Sequence, residues 1–161
     1  RTSGQNVVEE HYDGAGKLVG ADILSNNNGK IVTQHYDGKW NFTGAEVETS
    51  GTFTVTEHYD SKWKLASADV FHVEKGQGVL EHFDAQWKFV GADVATKNAD
   101  STVTVQHLDA AWSFVSGDVL KTEPGQTITQ HFDAKWAYVS AETVSATPTL
   151  HHDAMAEWLL A

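Results

Sequence analysis

Apolar or β-branched residues alternate with polar ones in short runs along most of the chain, a pattern typical of half-buried β-strands. In the segment 51–70, one alternating run ends at Asp60 and a second ends near Val70. Between them, Asp60-Ser61-Lys62-Trp63 has the composition of a four-residue turn with aspartate at its first position. Similar units are separated by further turn signals: Asn26–Gly29, Ser50-Gly51, Lys75-Gly76, Asn98–Asp100 and Pro124-Gly125. The pattern therefore predicts β-hairpins in series.

A motif returns about every 24 residues: Glu or Gln, then His, usually an aromatic residue, Asp and, three positions later, Trp. The histidines are His11, His35, His58, His82, His107 and His131. The aspartates are Asp13, Asp37, Asp60, Asp84, Asp109 and Asp133. Five copies carry the tryptophan, at Trp40, Trp63, Trp87, Trp112 and Trp136, whereas the first copy has Gly16 there. A fixed period in this range indicates a stack of supersecondary units.

The predicted fold is all-β: six tandem two-stranded repeats in one domain over residues 1–161, forming a closed or superhelical array. The predicted repeats span approximately 7–29, 30–51, 52–76, 77–100, 101–125 and 126–147. A β-solenoid and a β-trefoil are alternatives. An open sheet of twelve strands is disfavoured because such sheets tend to curl, split or close. Residues 148–161 are predicted to form a degenerate cap with a short helix and Asp153 as its N-cap.

A two-residue turn between Asp37 and Trp40 would place His35 opposite Phe42. Histidine, tryptophan and the following bulky residue would then share one face, which we expect to face inward. On this interpretation the indoles form the core, since large aromatic side chains bury the most area. Protonation of inward-facing imidazoles would make the fold sensitive to acid.

The composition argues against several classes of function. Eleven basic against 22 acidic residues give a formal net charge of −11, which argues against nucleic acids and anionic membrane surfaces as partners. Cysteine is absent, so disulfides and thiolate metal sites are excluded. Apolar runs are too short for a membrane-spanning helix, and no membrane insertion is expected. The sequence contains no phosphate-binding loop, nucleophile elbow or zinc-binding helix motif, so neither an enzyme nor a cofactor is predicted.

Each recurring residue type has a structural and a functional interpretation. The five motif tryptophans and the aspartates Asp37, Asp60, Asp84, Asp109 and Asp133 are candidate ligand-binding residues, as stacking platforms and hydrogen-bonding partners for sugars. The position of the aspartates at the start of each turn already explains them as turn residues. The six motif histidines are alternative ligands for divalent metals, or else structural hydrogen-bonding residues. Six carboxylates that close the second strands either mark strand ends or join a cation site: Asp22, Glu46, Asp69, Asp93, Asp118 and Glu142.

The string from His82 to Asp93, His-Phe-Asp-Ala-Gln-Trp-Lys-Phe-Val-Gly-Ala-Asp, resembles imperfect tandem repeats of large bacterial secreted and surface proteins. It is also loosely similar to the Tyr-Asp repeats of bacterial shell and adhesin proteins and to Trp-rich wall-binding repeats. The resemblance covers residues 7–144 and implies an extracellular or cell-surface β-repeat module. We therefore predict a non-enzymatic structural or adhesive module that self-associates through open strand edges into a polymer or filament. The alternatives are multivalent glycan binding and metal sequestration by histidine.

Overall fold

The computed structural model of the protein describes residues 6–145 and Trp158. Its strands are all antiparallel to their neighbours and follow one another in the sheet in chain order. They are β1 (Val7–Tyr12), β2 (Leu18–Asn27), β3 (Lys30–Asp37), β4 (Phe42–Thr49), β5 (Thr54–Asp60), β6 (Leu65–Glu74), β7 (Gln77–Asp84), β8 (Phe89–Lys97), β9 (Thr102–Asp109), β10 (Phe114–Glu123), β11 (Gln126–Phe132) and β12 (Tyr138–Ser145). The all-β prediction is confirmed.

The sheet is open, so the predicted closed arrangement is wrong. Among the described strands, β1 pairs with β2 alone and β12 with β11 alone, and the order between them is sequential. Consecutive antiparallel pairing leaves no place for the parallel neighbours of a solenoid or the barrel closure of a trefoil. Twelve open strands are tolerated here because cross-strand contacts on both faces stabilise each pair, as described below.

The turns that begin with a motif aspartate contain a left-handed residue. In the turn that begins at Asp60, the N–H of Asp60 donates to the carbonyl of Lys64 at 2.9 Å. The N–H of Trp63 donates to the carbonyl of Asp60 at 3.0 Å. Trp63 has a φ of 58°, and Gly16, which replaces tryptophan in the first copy, has a φ of 76°. Glycine adopts this conformation without strain, which explains why it occurs at this position.

This extra turn residue overturns the predicted register. His35 pairs with Gly44 instead of Phe42, and Phe42 pairs with Tyr36 across a bulge. Tyr36 also contacts Trp40, with ring centroids 5.8 Å apart. Because successive side chains in a strand point to opposite faces, His35 lies on the face away from these rings. The predicted single face carrying His, Trp and Phe is therefore wrong.

Contacts divide the chain into two compact units. The first comprises residues up to Val70 together with Phe83–Lys88, and the second comprises Phe71–His82 together with the residues from Phe89 onward. Buried side chains in the first unit are mostly alanines: Ala21, Ala45 and Ala68 are at most 2 % exposed. In the second, Phe71, Ala95 and Val105 form a buried cluster, against which Leu80, Val103, Leu120 and Trp158 pack.

The predicted C-terminal helix falls almost wholly outside the described residues. Trp158 has helical conformation. Lys97 Nζ lies 4.7 Å above its ring, and the ring covers Gly78 so closely that a Cβ there would lie 2.8 Å from it. The rest of the 148–161 cap, including Asp153, is outside the described part of the chain. Among the described residues no helix is long and apolar enough to cross a bilayer.

Candidate functional site

Within each unit, the motif histidines and the second-strand carboxylates lie along one face, and we call these residues the charged row. Odd-numbered strands supply the imidazoles, and even-numbered strands supply Asp22, Glu46, Asp69, Asp93, Asp118 and Glu142. In the first unit, Asp22 accepts hydrogen bonds from His11 Nε2 at 2.9 Å and His35 Nδ1 at 2.7 Å. His58 reaches Asp69 through Nε2 at 2.8 Å and Glu46 through Nδ1 at 3.3 Å. Each shared group therefore links three consecutive strands.

The second unit repeats this arrangement. Asp93 contacts His82 Nε2 at 3.2 Å and His107 Nδ1 at 2.6 Å. Asp118 contacts His107 Nε2 at 3.1 Å and His131 Nδ1 at 2.7 Å. The row ends at Glu142, whose Oε1 lies 3.9 Å from His131 Nε2. Five groups in succession, from His82 to His131, are thus joined by four short contacts.

These contacts fix the protonation state of the central histidines. Carboxylates accept hydrogen bonds, and a ring with both nitrogens against carboxylates must donate from both, which is the imidazolium form. Hydrogen bonds to Asp69 and then Glu46, opposed by burial, raise the pKa of His58 to about 9. Burial lowers the pKa of His107, but hydrogen bonds to Asp93 and Asp118 outweigh it and give a net rise. His58 and His107 are therefore imidazolium groups held between carboxylates.

The pKa values of two of the carboxylates, Asp22 and Asp93, are lowered. Burial would raise the pKa of Asp22, yet hydrogen bonds from His11 and His35 lower it overall. The pKa of Asp93 is likewise lowered, because hydrogen bonds from its two histidines exceed the effect of burial. Sequence interpretation missed this pairing by treating the carboxylates chiefly as strand ends. The available signal was that they recur with the same period and number as the histidines.

The contacts of the motif histidines also affect whether these side chains can bind a metal ion. Among the described residues, no group of three or more His, Asp or Glu side chains is placed to hold a metal ion. Both nitrogens of His58 and His107 already contact carboxylates. Binding a metal there would require breaking these contacts. Metal sequestration stays a prediction.

The motif aspartates are built into their turns. Asp60 Oδ1 accepts the N–H groups of Lys62 at 2.8 Å and Lys64 at 2.9 Å. These backbone hydrogen bonds, Lys64 first, lower the pKa of Asp60. In each of the other five copies, Oδ1 of the motif aspartate also accepts hydrogen bonds from two backbone N–H groups. These residues are Asp13, Asp37, Asp84, Asp109 and Asp133. Their turn role is therefore confirmed, and ligand binding by them stays a prediction.

The motif tryptophans lie at the surface, so their interpretation as a buried core is wrong. They are between 40 % and 51 % exposed, each in the left-handed turn position. Trp63 stacks on Phe42 with centroids 5.1 Å apart and planes 12° apart, and is tilted against Tyr59. In the second unit, Trp112 stacks on Phe89 at 5.0 Å and Trp136 on Phe114 at 4.9 Å. The turn projects each of these indoles onto an aromatic ring of an earlier strand.

Small residues beneath the rings make this stacking possible. A Cβ at Gly117 would lie 2.6 Å from Cη2 of Trp136, so a larger residue there would displace the indole. Alanines occupy the same sequence position in other copies, as at Ala45 and Ala92, and are almost fully buried. The rings therefore shield small residues on one side and keep much of their surface in water. We call this side of each unit the aromatic face.

A groove of about 370 Å³ lies on the aromatic face of the second unit, with Trp112 at one border. The other lining residues are His72, Glu74, Lys75, Gln77, Val79, Glu81 and Val94. Where the motif contains tyrosine, the tyrosine hydroxyl donates a hydrogen bond to the polar side chain two residues earlier. Tyr59, for example, donates to Glu57 at 3.2 Å. Phe83 has no hydroxyl, so Glu81 lacks this intramolecular donor. The groove combines an indole and two valines with two carboxylates and three other polar side chains.

No protein-family model matches this sequence, and no curated protein is significantly similar to it.

Proposed function

We propose that the chain is a non-enzymatic structural and adhesive module of a secreted or cell-surface protein. It consists of six two-stranded repeats and acts by display and association. The observation that carries this proposal is that equivalent residues make equivalent contacts from copy to copy, in the turns and in the charged row. Catalysis instead needs one constellation held in a unique geometry.

The histidines support a structural role. His107 lies opposite Ser116 in the sheet, beside Asp93 and Asp118, and these residue types are those of a hydrolytic triad. A general base needs a free ring nitrogen to accept the serine proton. Both nitrogens of His107 contact carboxylates instead. The His107 ring therefore joins Asp93 and Asp118 on the two neighbouring strands.

Association through strand edges follows from the same architecture. Purified protein at rising concentration is expected to give increasing mean mass in sedimentation velocity and chains in electron micrographs. An exposed edge carries unpaired N–H and C=O groups that template pairing with another chain. Protein that remains monomeric up to millimolar concentration would remove this part of the proposal.

Glycan binding is a second candidate, favoured by the exposure of the tryptophans and by the groove beside Trp112. Trp112→Gly is expected to weaken binding of a polysaccharide about five- to tenfold, because aromatic stacking is worth roughly 1 kcal/mol. Trp40→Gly is the matched control, since Trp40 occupies the same turn position but does not line the groove. Equal loss in both variants, or no binding to a glycan array, would contradict a site in this groove.

A further inference from the structure

The two edges of the sheet are both exposed, and their geometry is complementary. In β1, Val7, Val8 and Tyr12 are 53 %, 52 % and 56 % exposed, and every residue of β12 is exposed. Each strand has one neighbour among the described strands. Within the described part of the chain, the outer edge of each of these two strands has no strand paired to it.

The charged row ends in opposite groups at these edges. On β1, His11 contacts Asp22 through Nε2 at 2.9 Å, and its side chain is 44 % exposed. On β12, Glu142 lies 3.9 Å from His131, and its side chain is 62 % exposed. Within the described residues, neither end group has a row partner on its outer side. One edge thus ends in an imidazole and the other in a carboxylate.

We infer that a second copy of this chain adds its β1 to β12, with Glu142 of one copy against His11 of the next. This inference rests on the proposed function, which it deepens by naming the partner and the register. Inside the sheet, four pairs of neighbouring strands from successive hairpins already have this geometry, and we call them internal junctions. Their pairs are Asp22–His35 at 2.7 Å, Glu46–His58 at 3.3 Å, Asp93–His107 at 2.6 Å and Asp118–His131 at 2.7 Å.

The internal junctions specify the register of the new one. Glu46 pairs directly with His58, and next to them Ala45 pairs with Tyr59. Transferred to the edges, Glu142 pairs with His11 and Ala141 with Tyr12 of the next copy. A slip by one residue would place the carboxylate and the imidazole on opposite faces. The pairing of Glu142 with His11 therefore selects one register, and because the interface is head to tail it can repeat from copy to copy.

The junction between copies is weaker than those inside the sheet. Three of these four internal junctions also carry an indole stacked on an earlier ring: Trp63 on Phe42, Trp112 on Phe89 and Trp136 on Phe114. At the edge, the first copy of the motif has Gly16, so Tyr138 of the preceding copy receives no such cover and is 60 % exposed. Assembly is consequently reversible and depends on protein concentration.

Charge reversal tests this inference on the full chain. His11→Glu should raise the dissociation constant for self-association at least about tenfold, because it places two carboxylates at the junction. Glu142→Lys should raise it to a similar extent, because it replaces the carboxylate that would accept a hydrogen bond from His11 with a cationic donor. An equimolar mixture of the two variants should assemble again, to within about threefold of wild type, because each variant junction then joins opposite charges. Lys62→Glu, which reverses a charge in a turn away from both edges, should assemble like wild type. Circular dichroism and thermal unfolding establish that all variants are folded.

The outcomes separate this inference from the proposed function. If wild type assembles and the edge variants assemble equally well, the register is wrong and the associating module stands. Failure of the mixture to recover would also overturn the Glu142–His11 pairing. If assembly is lost in Trp63→Gly but not in the edge variants, copies associate through the aromatic face instead. A wild type that never assembles overturns both the register and the self-association from which it follows.

Discussion

Raising the pH from about 6 to about 9.5 is expected to lower the free energy of unfolding, with His58 contributing most clearly. Its pKa is 6.5 in the unfolded chain and about 9 in the folded protein, because Asp69 and Glu46 bind the imidazolium. A group with a raised folded pKa stabilises the protein fully below its unfolded pKa, and this stabilisation is lost as the pH passes the folded pKa. Stability should therefore fall between about pH 6.5 and pH 9.

The size of the effect follows from the shift. A rise from 6.5 to about 9 corresponds to at most roughly 3 kcal/mol. The ring of His58 is 30 % exposed, so solvent screening reduces the contribution to about 1–3 kcal/mol. His107 contributes in the same direction, since its pKa is also raised. The sequence predicted that protonation of inward-facing imidazoles would destabilise the fold in acid. For His58 and His107 the raised pKa values give the opposite direction.

Urea unfolding at several pH values between about 6 and 9.5, together with NMR titration of the imidazole carbons, measures this prediction. His58→Gln is the control, because glutamine retains a hydrogen-bond donor but does not titrate, and the alkaline loss should shrink. Unfolding free energies that stay constant over this range would contradict a charged row. A second loss is expected in acid, as the pH falls below 3.8 through the lowered pKa values of Asp22 and Asp93.

Removing the indole of Trp63 is expected to destabilise the protein, and glycine should be a better replacement than alanine. The ring is 47 % exposed, so it buries about 100 Å², equivalent to roughly 2–3 kcal/mol. Trp63→Ala loses this contact and keeps a Cβ in the left-handed region, where φ is 58°. Trp63→Gly loses the same contact but relieves about 1 kcal/mol of backbone strain.

Thermal and urea unfolding of the two variants measure the order. Val90→Ala is a suitable control, because Val90 is 47 % exposed like the indole but lies within β8, and it should change stability by less than about 0.5 kcal/mol. Gly16→Ala isolates the backbone term at the equivalent turn position and should cost about 1 kcal/mol. A Trp63→Ala variant at least as stable as Trp63→Gly would show that the turn imposes no left-handed strain.

Several features could be predicted from the chain because they depend on neighbouring residues. Alternation of polar and apolar positions determined the strands, and the aspartate of Asp60-Ser61-Lys62-Trp63 determined a turn. The pairing of His35 could not be predicted in the same way. It depends on a left-handed backbone at Trp40, a conformation that the sequence suggests only through Gly16 in the first copy. One extra residue in the turn moved the histidines and the aromatic rings to opposite faces.

The sequence by itself determined a β-strand protein with a recurring turn and a chemically uniform set of His, Asp and Trp positions. The tertiary structure alone decided that the sheet is open, that the indoles stay half exposed, and that Asp22 and Asp93 each bind two imidazoles. The physical reason is that strand periodicity is a local property, whereas a shared carboxylate joins residues from different hairpins. Protonation then follows from those contacts, since both nitrogens of a ring can donate to carboxylates in the cationic form alone.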